Sequence, residues 1–145
     1  MEPTASPAPA SGPAPSPKAI NARIAGTLPA VLGVRFVAVA LDCVVAELPL
    51  RDDLLNGGGI AHGGTLMAFA DTVGAIATVI NLPPGARTTT IESKTNFLAA
   101  ARGGILRAEA TPLHRGRRTM VWQTRILDGS GRLVSLTTQT QLVIT

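Results

Sequence analysis

Tyrosine is absent from the chain, and the other aromatics amount to three Phe and one Trp. That supply excludes a base-stacking surface for single-stranded nucleic acid. The single cysteine, Cys43, excludes an internal disulfide and a Cys-rich zinc site, and it fits a reducing, cytoplasmic setting. Only two histidines occur, His62 and His114, and they lack metal-ligand spacing. There is no Gly-x-Ser-x-Gly, no phosphate-binding P-loop and no GxGxxG, which sets aside serine-hydrolase and nucleotide-fold chemistries. The N-terminus has no basic segment followed by an apolar run, so no secretory signal is read there. The most apolar stretch, Leu66–Leu82, is interrupted by Asp71, Thr72, Thr78 and Asn81; it reads as a buried helix, and no membrane association is expected.

Charge is scarce too, at 15% of residues against 46% hydrophobic. Such a balance favours a compact domain that buries much of its surface, with one face available to an oligomer. The net charge of +4 is uneven: residues 1–60 carry four basic and five acidic side chains, and residues 61–145 carry nine and four. The second half can therefore attract a polyanion, either nucleic acid or a phosphorylated cofactor.

Residues 1–17, rich in Pro, Ala and Ser, are expected to be a disordered tail, leaving 18–145 as one domain. A short helix is expected over Lys18–Leu32, with Pro29 near its end. The β-branched run Val34–Leu50 follows as one long strand or two short ones, and 51–61 is a glycine-marked loop. The one long helix runs from about Gly63 to Asn81 and should be buried nearly all round, stopped by Leu82-Pro83-Pro84-Gly85. Four strands follow, at about Thr88–Phe97, Ile105–His114, Arg118–Asp128 and Leu133–Ile144. The glycine turns between them read as hairpins of an antiparallel meander. A lone apolar helix needs a sheet to wrap it, which makes the fold class α+β.

Two features can carry chemistry. Asp71 has only small or apolar helical neighbours: Gly64, Met67, Ala68, Gly74, Ala75 and Thr78. An unpaired buried charge is costly, so either another element compensates it, by an arginine or backbone amides, or it has a task. His62-Gly63-Gly64 stands where loop becomes helix. There the first N–H groups lack partners and the dipole is positive, which suits an anion or a developing oxyanion. Taken alone, His-Gly-Gly could equally be a flexible entry capped by His62. Followed by an acid nine residues after the histidine, it offers an electrophile binder and a base on one element. The basic turn His114-Arg115-Gly116-Arg117-Arg118 is either a phosphate reader or a solvated turn.

At these residues, in Asn56-Gly57-Gly58-Gly59-Ile60-Ala61-His62-Gly63-Gly64 continued through TLMAFADTVGAIAT and the later TTTIESKTNFL, the chain resembles the PaaI-like, phenylacetate-degradation type of hotdog-fold acyl-CoA thioesterase. This group is similar to the 4-hydroxybenzoyl-CoA thioesterases. The resemblance covers about Ile20 to Ile144. It implies a long central helix wrapped by a curved antiparallel sheet, dimers usually paired into a homotetramer, and active sites shared between two chains. Carried over by position, Asp71 is the catalytic acid, as nucleophile or general base, and the Gly63 N–H polarises the thioester carbonyl. Asn56 and His62 orient water or the helix start, and Thr90 supplies a hydroxyl near the attacking water. Where some aromatic-acyl relatives carry a Thr four residues after the acid, this chain has Ala75.

The expected function is hydrolysis of an aromatic or medium-chain acyl-CoA to free acid and coenzyme A, with no cofactor or metal. Gly64, Leu54, Leu55 and Met67 are expected around the acyl group. Arg102, Arg115, Arg117 and Arg118 are expected near the nucleotide phosphates. Competing readings are an acyl-CoA binder without turnover, a hydratase or dehydratase of the same fold, and a nucleic-acid binder, the last without a recognisable reader motif.

Overall fold

In the structure, a computed structural model, residues 12–145 are described. Of the tail expected over 1–17, residues 1–11 lie outside the described residues. Residue Ser16 already belongs to a helix: its hydroxyl accepts the Ala19 N–H at the start of α1 (Pro17–Ile24). The helix expected over Lys18–Leu32 is two helices. Pro29 stands in the first turn of α2 (Leu28–Leu32) rather than near a helix end, and Gly33 caps α2 in the left-handed conformation with φ 92°. A proline in the first turn has no intrahelical bond to lose, which explains why it opens α2.

The strands are β1 (Arg35–Ala40), β2 (Cys43–Pro49), β3 (Arg87–Phe97), β4 (Ile105–Arg115), β5 (Thr119–Leu127) and β6 (Leu133–Ile144). They form one antiparallel sheet in the order β1-β2-β4-β5-β6-β3. The expected meander therefore fails at one point. β3 pairs with β6, so the chain crosses from one side of the sheet to the other between Phe97 and Ile105, and Arg102-Gly103-Gly104 lies in that crossing instead of a hairpin. A helix that needs cover from both sides explains the crossing: β2 and β4 flank one side of α3 (Gly63–Val79), and β3 and β6 the other.

The two halves of the inner face differ in chemistry. Under β2, β4 and β5 lie Val44, Ala46, Leu48, Leu106, Ala108, Ala110, Trp122 and Ile126, all fully buried. Under β6 lie Ser135, Thr137, Gln139 and Gln141, equally buried. Cys43 is half-buried at the start of β2, and burial pushes its thiol pKa up.

α3 is covered on most of its circumference but not all. Gly64, Met67, Asp71, Ala75 and Val79, at helical spacing, stay exposed or half-buried, and Met67 is 38% exposed. The helix expected to be buried nearly all round thus keeps one open stripe, because a single sheet cannot close around it.

The sheet edges are also unequal. At β1, the Asn21 carboxamide of α1 donates to the Phe36 carbonyl (3.0 Å) and accepts the Phe36 N–H (2.8 Å). That clasp occupies an edge that would otherwise template another strand. β3, eleven residues long, has no such cover among the described residues, and Ile91, at its bulge, is 57% exposed. Asn21→Ala should lower stability by about 1–2 kcal/mol, read as a lower urea midpoint with unchanged slope. An unchanged midpoint would show the clasp to be dispensable.

Candidate active site

The start of α3 is built by its own preceding loop. Asn56 Oδ1 accepts the N–H groups of Gly58 (2.9 Å) and Ile60 (3.4 Å), and the Asn56 N–H donates to Ile60 O, closing the glycine loop on itself. His62 N–H donates to Leu54 O and the Ala61 N–H to Ala101 O (2.7 Å), which ties the loop to the β3–β4 crossing. His62 then caps the helix, its Nδ1 accepting the Gly64 N–H at 2.8 Å. Gly64 is thereby spent on the cap. The Gly63 N–H has no acceptor among the described residues and points from the positive end of a 17-residue helix.

Gly63 opens into a cleft of about 410 Å³ lined by Asn56, Ile60, Leu66, Phe97 and Leu98 among others. The Phe97 ring lies so close that a Cβ on residue 63 would meet its Cζ at 3.2 Å. Glycine is thus the residue that leaves both ring and N–H in place. The Asn56 side-chain NH₂, on the cleft wall, has no acceptor among the described residues. Leu54 is in the core at 6% exposure, and neither it nor Leu55 nor Met67 lines this cleft.

Asp71 sits two turns along. No ion pair reaches it among the described residues. Instead, neutral donors meet it: Thr90 Oγ1 from β3 and Gln139 Nε2 from β6, each 3.2 Å from Oδ1. Gln141 Nε2 donates to Thr90 Oγ1 at 2.7 Å. The compensation that Asp71 requires is therefore hydroxyl and carboxamide, not arginine. Gln139 and Gln141 escaped sequence reasoning. They alternate with outward residues in β6 as any core pair would, and only the β3–β6 pairing shows what they face.

The structure brings Asp71 and Thr90 together, and Asn56, His62, Gly63 and Gly64 together, but keeps the two groups apart in one chain. At 1.5 Å per residue, the eight residues from Gly63 to Asp71 span about 12 Å of helix. The arginines divide likewise. Arg102 is beside the first group, its guanidinium donating to Gly58 O at 3.4 Å, on a second cleft of about 410 Å³ that also holds Arg132. Arg115 is at the far end of α3, bonded to Asn81 Oδ1 (3.2 Å) and Leu41 O (3.3 Å). Arg117 and Arg118 are exposed in the adjoining turn without a partner among the described residues. Arg132, also missed in the sequence, is paired with Asp128 at 3.0 Å. The Ser130 hydroxyl and then the Arg132 contacts hold the Asp128 carboxyl down at about 2. Among the described residues no three His, Cys, Asp or Glu side chains cluster as a metal site would require, and no helix is long and apolar enough to cross a membrane.

Comparison with known proteins agrees with this geometry. The sequence pattern of the thioesterase superfamily matches residues 58–135. The chain is 31% identical to the 1,4-dihydroxy-2-naphthoyl-CoA hydrolase of Escherichia coli over 116 residues, covering 80% of this chain and 85% of that one. A thioesterase from Haemophilus influenzae superposes with a TM-score of 0.86 at 28% identity, over 90% of this chain and 91% of that one. The Escherichia coli PaaI protein of the phenylacetic acid degradation operon shares the fold, with a TM-score of 0.80 at 24% identity over 88% and 91% of the two chains. With its long helix wrapped by an open curved sheet, its free N–H at the start of that helix and its half-buried acid, the chain belongs to the thioesterase superfamily, as a thioester hydrolase with the PaaI-like hotdog fold.

Proposed function

We propose that the chain hydrolyses aromatic or medium-chain acyl-CoA thioesters at a site assembled from two copies of itself. The observation that carries this reading is the separation of about 12 Å between Gly63 and Asp71 along one helix. One carbonyl cannot meet both groups of the same chain. Two copies related by a two-fold axis can supply one each. The uncovered edge of β3 and the open stripe on α3, which includes Asp71, are surfaces that a second copy would cover. Pairing of such dimers into a tetramer belongs to the same reading.

In this scheme the thioester carbonyl accepts the Gly63 N–H, which stabilises the negative charge that develops on its oxygen. Asn56 offers its free amide donor in the same cleft. Asp71 of the other copy takes a proton from water as that water adds to the carbonyl carbon; alternatively it attacks directly, and water cleaves the resulting anhydride. The C–S bond breaks and coenzyme A leaves with the electron pair, requiring little acid assistance. The apolar side chains Ile60, Leu66, Phe97 and Leu98 favour a hydrophobic acyl group, and the naphthoyl substrate named for the Escherichia coli relative favours an aromatic one. In this reading Arg102, near Gly63 of the same chain, would meet the nucleotide phosphates, whereas Arg117 and Arg118 would serve a site that uses their own chain's Asp71. The reading calls for no cofactor and no metal.

Release of free thiol from a panel of aryl- and alkyl-CoA esters tests it. Asp71→Asn should lower kcat by about 100-fold or more, and wild-type turnover in that variant would remove the acid from the mechanism. Gly63→Pro deletes the N–H at a position where proline suits a helix and should also be inactive. Mixing the two inactive variants should restore up to about a quarter of wild-type activity, since random pairing leaves one intact site in half of the dimers. No recovery would place the whole site in one chain. Arg102→Ala should raise KM about tenfold with little change in kcat. If Arg117→Ala does so instead, the phosphates lie at the far turn.

A further inference from the structure

We propose that Gln139 is a positioning residue for Asp71, and that glycine at 74 exists to admit its carboxamide, so that Oδ2 of Asp71 is the oxygen presented to water or thioester. This deepens the reading above and rests on Asp71 being the reacting acid. Both donors to the carboxylate converge on one oxygen: Thr90 Oγ1 and Gln139 Nε2 each reach Oδ1 at 3.2 Å, and Oδ2 has no donor among the described residues. The direction of these bonds is forced. A carboxylate only accepts, so Thr90 must donate its hydrogen to Asp71, and its oxygen is then free to accept Gln141 Nε2 at 2.7 Å. The Thr88 hydroxyl lies 3.2 Å from Gln141 Oε1, with Leu142 O as its nearer acceptor at 2.9 Å. Thr90 from β3 and Gln139 from β6 thus hold the carboxyl plane from two strands at once.

Gln139 makes these contacts at its own expense. It is fully buried, yet among the described residues its Oε1 has no partner, nor has the Trp122 Nε1 on the directly paired residue of β5. Buried polar groups usually find partners, and here a carboxamide oxygen and an indole N–H on paired residues do not. The carboxamide is instead turned to aim its nitrogen at Asp71. Room for it comes from α3: a Cβ on residue 74, three residues after Asp71 on the same face, would lie 2.2 Å from Oε1 and 2.5 Å from Cδ of Gln139. The glycine and the glutamine fit together as a lock for the acid between them.

The test is steady-state kinetics with Tm on three variants of the full chain. Gln139→Met keeps length and burial but removes the donor. It should lower kcat about tenfold, the loss of one hydrogen bond to a charged group, with KM within about twofold and Tm unchanged or higher. Gly74→Ala leaves every polar group in place but displaces the carboxamide, and it should lower kcat by a similar factor. In a Gln139→Ala background, Gly74→Ala should cost no further kcat, because the methyl then occupies the space the carboxamide left. Wild-type kcat in Gln139→Met overturns the proposal, as does a fall in Tm accompanied by equal losses through kcat and KM in both single variants. An active Asp71→Asn would overturn the underlying reading instead; an inactive Asp71→Asn beside a fully active Gln139→Met overturns only this one.

Discussion

The structure depends on one requirement: a single helix, apolar on nearly every face, has to be covered by a single sheet. Six strands can curve around such a helix but cannot close on it, and the crossing from Phe97 to Ile105 follows, since it puts β3 on the far side of the helix from β2 and β4. The same requirement explains where the acid sits. A carboxylate on that helix is tolerated only where the sheet offers hydrogen-bond donors, and Asp71 meets the part of the inner face, under β3 and β6, that is richest in Thr and Gln.

What the sheet leaves uncovered is as specific as what it covers. Asn21 closes the β1 edge, while β3 and the α3 stripe through Met67 and Asp71 stay open on one side of the molecule. A long strand with unpaired backbone groups is a liability unless it has a designated partner. Its position next to the acid links the liability to the site.

The sequence disclosed most of the elements, and it did so for physical reasons. Helix α3 was legible from its apolar run and its proline stop, and the later strands from their alternation and glycine turns. The His62-Gly63-Gly64 start and the isolation of Asp71 were also visible, because local spacing alone defines a helix entry and a charge without helical neighbours. What stayed hidden depended on long-range pairing. Arg102-Gly103-Gly104 looks like any hairpin turn until β3 is seen beside β6. Gln139 and Gln141 look like ordinary residues of a strand until that pairing sets them under Asp71. Pro29 looked like an ending because proline breaks helices from within, yet the same missing N–H suits it to begin one. The grouping of Arg115 with Arg117 and Arg118 was compositional, and the Asn81 side chain that engages Arg115 lies 34 residues away in sequence.

The polar face of β6 has a consequence for how such a chain can diverge. Under β2 and β4, methyl groups meet methyl groups, and volume-conserving exchanges there generally cost less than about 1.5 kcal/mol. Under β6, exchange of Thr137 or Gln141 strands a neighbour's donor or acceptor, at about 1–3 kcal/mol each. Neutral drift is therefore unevenly distributed across one sheet. The aliphatic half can wander from homologue to homologue and reshape what fits beside the helix start, whereas the carboxamide half changes only when several positions change together.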